Sequence, residues 1–103
     1  LGTEPGPRGG SLMKSARGSF LVRNRLGLHA RAATKLVTLA SRFTSQIVVR
    51  RDGQGADAKS VMGVLLLCGA PGTVLDVEAL GDDAEEAVIQ IGTLIDDRFG
   101  EGE

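Results

Sequence analysis

Thr73-Val-Leu-Asp-Val-Glu-Ala-Leu-Gly-Asp-Asp-Ala-Glu-Glu-Ala-Val-Ile-Gln-Ile-Gly-Thr-Leu-Ile-Asp-Asp-Arg-Phe99 holds two hydrophobic periods in series. From Thr73 to Ala79, Leu75, Val77 and Ala79 alternate with Asp76 and Glu78, the period of a strand buried on one face. Gly81-Asp82 then opens a helix with its acids first, where the macrodipole favours them. The apolar face of that helix is Ala84, Ala87, Val88, Ile91, Leu94, Ile95 and Phe99, a period of about 3.6 residues. A one-faced strand followed by a one-faced helix predicts a sheet covered by helices on a single side.

The preceding segments read the same way. Ser19-Phe-Leu-Val-Arg-Asn24 is a short strand with Phe20 and Val22 on one face, and Gly27 breaks the chain after it. A helix follows from about Ala30 to Ser41, with Ala33, Leu36, Val37 and Ala40 at core spacing. Gln46 to Arg50 is a strand, and the turn signal Asp52-Gly53 predicts a hairpin to a short strand at Gln54 to Asp57. Ser60 is placed to N-cap a short helix reaching about Leu67, and Gly69-Ala-Pro-Gly72 is a turn. The order β-α-β-β-α-β-α predicts an α+β fold, a four-stranded antiparallel sheet with three helices on one face. Residues 1–18, rich in Gly, Pro, Ser and Arg, are expected to be a disordered extension, leaving one domain over residues 19–103; Met13 is an alternative start.

Composition narrows the classes. A chain of 103 residues with three aromatics, all Phe, must build its core from Val, Leu, Ile and Ala, and it lacks the Trp and Tyr of a stacking surface. Cys68 is the single cysteine, so no internal disulfide forms; it ends the apolar run Val64 to Cys68 and is expected to be a small buried hydrophobe, in keeping with a reducing cytoplasm. The apolar stretch Val61 to Ala70 is about half the length of a bilayer span, and no secretory signal is visible, so no membrane insertion is expected. Charge is polarised: Lys14 to Lys59 carries ten Lys/Arg against two Asp, and Asp76 to Glu103 carries ten acids against one Arg. On charge alone the two parts are either ordinary solvated faces or a basic part that faces an acidic partner or nucleic acid, with an acidic part that resists wrapping in DNA.

The single His lies in Gly27-Leu-His-Ala-Arg31, between a glycine break and a helix start. A helix N-terminus offers unpaired N–H groups to an anion, and Arg31 adds a guanidinium that can grip phosphate oxygens. A ring nitrogen with a free lone pair beside such an anion cradle can act as a nucleophile. On spacing alone, His29 is more readily a surface residue beside a helix cap. No Cys/His metal spacing and no phosphate loop of the G-x-x-x-x-G-K-[ST] kind occur, so neither metal nor cofactor is expected.

The segment Gly-Leu-His-Ala-Arg-Ala-Ala-Thr, residues 27–34, resembles the active-site segment of the HPr family, the histidine phosphocarriers of the bacterial phosphotransferase system. Ala58-Lys-Ser-Val-Met-Gly-Val-Leu-Leu66 resembles the regulatory-serine segment of that family, and the resemblance covers about residues 19 to 99. It implies an open-faced β-sandwich and a non-enzymatic carrier. His29 would accept phosphate through Nδ1 from the phosphohistidine of enzyme I and pass it to a IIA-type domain. Arg31 would balance the phosphoryl charge, and the amides of Ala30, Arg31 and Ala32 would face it. It also implies that Ser60 is a regulatory phosphorylation site for HPr kinase/phosphorylase, beside its role as N-cap. Val61, Met62, Leu65 and Leu66 are either a buried helix or an exposed docking patch, and the resemblance supports the patch. A monomer in the cytoplasm is expected.

Two positions depart from the family pattern: Ala32 stands where Pro is usual, and Leu26 precedes the glycine where many sugar-system carriers have a small polar residue. Arg25-Leu-Gly-Leu-His29 is more similar to the nitrogen-type branch. The rival functions are a regulatory module that docks partners through the apolar patch, with phosphate as a switch, and a small nucleic-acid binder using its arginines.

Overall fold

Alternating side chains along four segments assemble one antiparallel sheet. The computed structural model describes residues 14–102. Strands β1 (Ser15–Leu21), β2 (Gln46–Arg51), β3 (Gln54–Asp57) and β4 (Val74–Leu80) lie in the order β1-β4-β2-β3. Arg51 pairs with Gln54, leaving a two-residue turn at Asp52-Gly53. Both turn residues have positive φ, 50° and 83°, the twist-matching hairpin geometry that the Asp-Gly pair favours.

One face of the sheet is dry. Ile47, Val49, Leu75, Val77 and Ala79 are buried on it. Helices α1 (Ala30–Ala40), α2 (Val61–Leu66) and α3 (Ala84–Asp96) cover that side, and a 3-10 turn over Arg98–Gly100 follows. The expected α+β arrangement is therefore the observed one. Helix α1 buries Ala32, Ala33, Leu36 and Ala40, and α3 buries Ala84, Ala87, Val88, Ile91, Gly92 and Ile95. Helix α3 lies close against β1 at Gly92, where a Cβ would stand 2.2 Å from the Phe20 ring. The other face carries its own charges in pairs: Arg17 and Arg50 both reach Glu78 (2.7 and 3.2 Å), and the Ser19 hydroxyl donates to Asp76 (2.6 Å). The two arginine hydrogen bonds hold the Glu78 carboxyl below its ordinary pKa.

Three expectations are corrected. β1 begins at Ser15, so residues 15–18 pair with β4 and do not belong to an extension ending at 18; residues 1–13 lie outside the described residues. The alternation was masked because the inward positions 16 and 18 are Ala and Gly; a Cβ at Gly18 would meet the Phe20 ring at 2.8 Å. The last helix begins at Ala84, after Asp83, whose carboxylate accepts from the Thr44 and Ser45 amides and the Ser45 hydroxyl (2.9, 3.0 and 2.5 Å). Finally, Cys68 is exposed. It ends α2 in the left-handed region (φ 53°), which turns its side chain outward and leaves Leu67 as the residue that enters the core.

Candidate functional site

A tight loop fixes where α1 starts. Gly27 has φ 64°, and a Cβ there would lie 2.4 Å from the Gly69 carbonyl oxygen, so only glycine fits. The next amide, of Leu28, donates to that same carbonyl (2.8 Å), tying the loop to the turn after α2. Leu28 is buried and His29 follows as the N-cap residue of α1, in extended conformation (φ −76°, ψ 178°). Its carbonyl accepts from the Ala33 amide (2.8 Å), but its side chain makes no capping hydrogen bond. The amides of Ala30, Arg31 and Ala32 therefore belong to the open first turn of the helix, where no intrahelical acceptor exists.

The His29 ring turns instead toward the C-terminal end of the described chain. Its Nε2 is hydrogen-bonded to the Glu101 carboxylate, 72 residues away. Glu101 also accepts from Asn24 Nδ2 (2.9 Å), and the same Asn24 nitrogen donates to the Gly27 carbonyl (2.8 Å). Burial is the largest influence on the Glu101 carboxyl and raises its pKa. The hydrogen bonds from Asn24 and His29, with the Lys35 charge, outweigh it and leave the pKa below the ordinary value. The group is thus a carboxylate at neutral pH, an acceptor only. Asn24 is completely buried, and its Oδ1 has no hydrogen-bond partner among the described residues.

Glu101 reaches this place because the chain turns back after α3. Arg98 and Phe99 both take left-handed φ (56° and 54°). Each costs about 1–2 kcal/mol. Phe99 is fully buried, contributing about 1.5–3 kcal/mol. Its carbonyl accepts from Lys35 Nζ (2.7 Å), a charge-assisted bond contributing about 1.5–3 kcal/mol. The terms offset the strain and hold the turn against α1.

A surface depression is lined by Arg25, Leu26, His29, Ala30, Arg31 and Glu101. Arg31 is exposed, and its guanidinium makes no hydrogen bond or ion pair among the described residues. Ala32, in the usual Pro position, is completely buried, and it extends the contact of α1 with the core. The site thus joins a ring nitrogen, a helix N-terminus and an arginine around one concavity, an arrangement able to receive a tetrahedral anion on a nucleophile. Asn24 and Glu101 escaped sequence reasoning. The signal that points to them is Glu101 between Gly100 and Gly102 just past the last core residue, a turn-back that puts a carboxylate near the body of the domain.

The structure places the second set of residues on α2. Ser60 is the N-cap, its hydroxyl accepting from the Gly63 amide at 3.1 Å. Of the four apolar residues, Val61, Met62 and Leu66 are exposed (37%, 68% and 64%), whereas Leu65 packs partly against the core. Leu26, 65% exposed, is a further bare apolar side chain on the His29 loop. Among the described residues no group of His, Cys, Asp and Glu could hold a metal ion, and no helix is long and apolar enough to cross a membrane.

Comparison with known proteins adds independent information. Residues 16–97 match the family described as the PTS HPr component phosphorylation site. The chain is 49% identical over 80 residues to phosphocarrier protein HPr of Cupriavidus necator, covering 78% of this chain and 90% of that protein. It is 44% identical over 78 residues to phosphocarrier protein NPr of Shewanella violacea, covering 76% and 86%. The crystal structure of HPr-C-His from Thermoanaerobacter tengcongensis has the same fold, with a TM-score of 0.82 at 41% identity over 85% of this chain and 99% of that one.

Proposed function

Since the chain belongs to the HPr family of phosphocarriers in the phosphotransferase system, we propose that it accepts a phosphoryl group on His29 from phosphorylated enzyme I and passes it to a IIA-type domain. One observation carries the reading: the N-cap position of α1 is held by a histidine whose ring does not cap the helix, next to the exposed Arg31. The first-turn amides of Ala30, Arg31 and Ala32 face the same end of the helix as the phosphoryl oxygens would, and the Arg31 guanidinium supplies a charge-assisted fork. The protein is then a stoichiometric carrier in the cytoplasm, without turnover or cofactor of its own. It acts as a monomer and engages neither nucleic acid nor membrane.

Docking falls to Val61, Met62 and Leu66, with Leu65 supporting them from beneath. Their exposure also favours a second reading, a regulatory module that binds partners through α2 while phosphate acts as a switch. Ser60 is the regulatory site in either case, a substrate for HPr kinase/phosphorylase. A phosphate there adds about −1.5 to −2 charges beside Val61 and Met62. The test is incubation with enzyme I and labelled phosphoenolpyruvate. Acid-labile label on the wild type that moves to a IIA domain supports the carrier. A chain that binds enzyme I but takes no label supports the regulatory module.

A further inference from the structure

We propose that Glu101 is a positioning residue for phosphoryl transfer, fixing the His29 ring in the form whose Nδ1 is nucleophilic and stabilising the charge that forms on it. The proposal rests on the phosphocarrier reading of His29 and extends it to a residue at the other end of the chain.

A carboxylate can only accept a hydrogen bond, so the ring nitrogen that faces it must carry the proton. Nε2 faces Glu101. In the neutral imidazole, Nδ1 is then left with the lone pair. When Nδ1 attacks phosphorus, the Nδ1–P bond forms and the bond from phosphorus to the donor nitrogen of enzyme I breaks, its electron pair returning to the donor ring. No proton leaves His29. Its ring, still carrying Nε2–H, therefore becomes cationic, and the positive charge develops against the Glu101 carboxylate. An aligned carboxylate does the same for the imidazolium of a hydrolytic triad, where losing it leaves the ring in the wrong tautomer.

The surroundings are built for that task. Asn24, fully buried, bonds Glu101 to the glycine loop that sets His29, and Lys35 holds the Phe99 carbonyl two residues before it. The carboxylate is thereby tied to both the loop and α1. Its own side chain is 14% exposed, which limits screening by water.

The experiment compares wild type, E101A and E101Q. Nitrogen chemical shifts and long-range couplings of 15N-labelled His29 report the tautomer of the free protein, and labelled phosphoenolpyruvate with enzyme I reports transfer. Wild type should show the Nε2–H form, and E101A a mixture of both forms. Transfer to E101A should be slower by about ten- to a hundredfold in maximal rate, with the half-saturating concentration little changed. E101Q keeps the acceptor oxygen without the charge and should retain more of the Nε2–H form while still transferring more slowly than wild type. Its near-identical shape guards against a folding artefact. Labelled wild type alongside an E101A whose ring or rate is unmoved overturns the role of Glu101 alone. A wild type that takes no label overturns the phosphocarrier reading and this proposal with it, whatever the ring shows.

Discussion

Helices α1 and α2 both start on a residue able to accept a hydrogen bond from the next turn, and only α2 uses it. Ser60 accepts from Gly63, while the His29 ring leaves its helix uncapped and bonds to Glu101. A cap is worth about 1 kcal/mol. At α2 that stabilisation is taken, and the donors of its first turn are partly used. At α1 it is forgone, and the donors stay available to an anion. The difference separates a helix start whose side chain is spent on its own first turn from one whose first-turn donors are left open. Helix α3 is a third variant: Asp83 precedes it but directs its carboxylate to Thr44 and Ser45, fastening the helix to the start of β2.

The sharpest test of the contrast applies one substitution to both starts. His29→Ala should abolish acid-labile labelling by enzyme I while leaving the circular dichroism spectrum and melting temperature close to wild type. Undiminished labelling of that variant would show that the two starts do not differ in chemistry. Next in size is a pair within α2. Met62→Glu, at a 68% exposed position, should keep the fold and weaken enzyme I binding about tenfold or more, measured by calorimetry. Leu65→Glu puts a charge against the core and should cost about 2–4 kcal/mol in urea unfolding. Equal loss of stability in both would make α2 a core helix.

Ser60→Ala should lower stability by about 0.5–2 kcal/mol through the lost cap and leave labelling nearly intact, the reverse of His29→Ala. Ser60→Asp retains an acceptor at the cap and adds a negative charge beside the exposed Val61 and Met62. It should hold the melting temperature and slow labelling. Transfer at the wild-type rate in Ser60→Asp would leave Ser60 as a cap only. The smallest effect is at Asp83. Hydrogen bonds from Ser45 and the Thr44 amide pull its pKa from 3.8 to about 2. A carboxyl depressed on folding stabilises above its unfolded pKa and loses that contribution as pH falls through the folded value. Asp83→Asn should therefore be less stable than wild type at neutral pH. The gap should narrow between pH 3.8 and about 2 in acid-unfolding curves.

The fold was legible wherever side chains were large enough to mark a face. β4 and α3 announce themselves through Leu75, Val77, Val88, Ile91 and Ile95, and the Asp52-Gly53 hairpin through its turn chemistry. β1 was clipped because Ala16 and Gly18 carry too little apolar surface to register, and Cys68 was misplaced because its backbone conformation, not its hydrophobicity, sets its direction. The helix starts at His29 and Ser60, both at N-cap positions, were legible because local chemistry carries them. Asn24 and Glu101 were not, since no spacing rule relates residues 77 apart in the chain, and only the turn at Arg98 and Phe99 brings them together. The exposure of Met62 and Leu66 and the partial burial of Leu65 likewise depended on how α2 rotates against its neighbours.

Gly92 sets a trap for anyone seeking a sturdier variant. It lies inside a helix, where exchanging glycine for alanine ordinarily gains about 1 kcal/mol. Here the added methyl would enter the Phe20 ring, and forcing an extra carbon into a packed interior costs about 1–3 kcal/mol. The propensity table and the packing disagree in sign, and packing has the larger magnitude. In a saturation library, position 92 should therefore behave like a core position, and replacements there should be better tolerated when Phe20 is trimmed in the same clone.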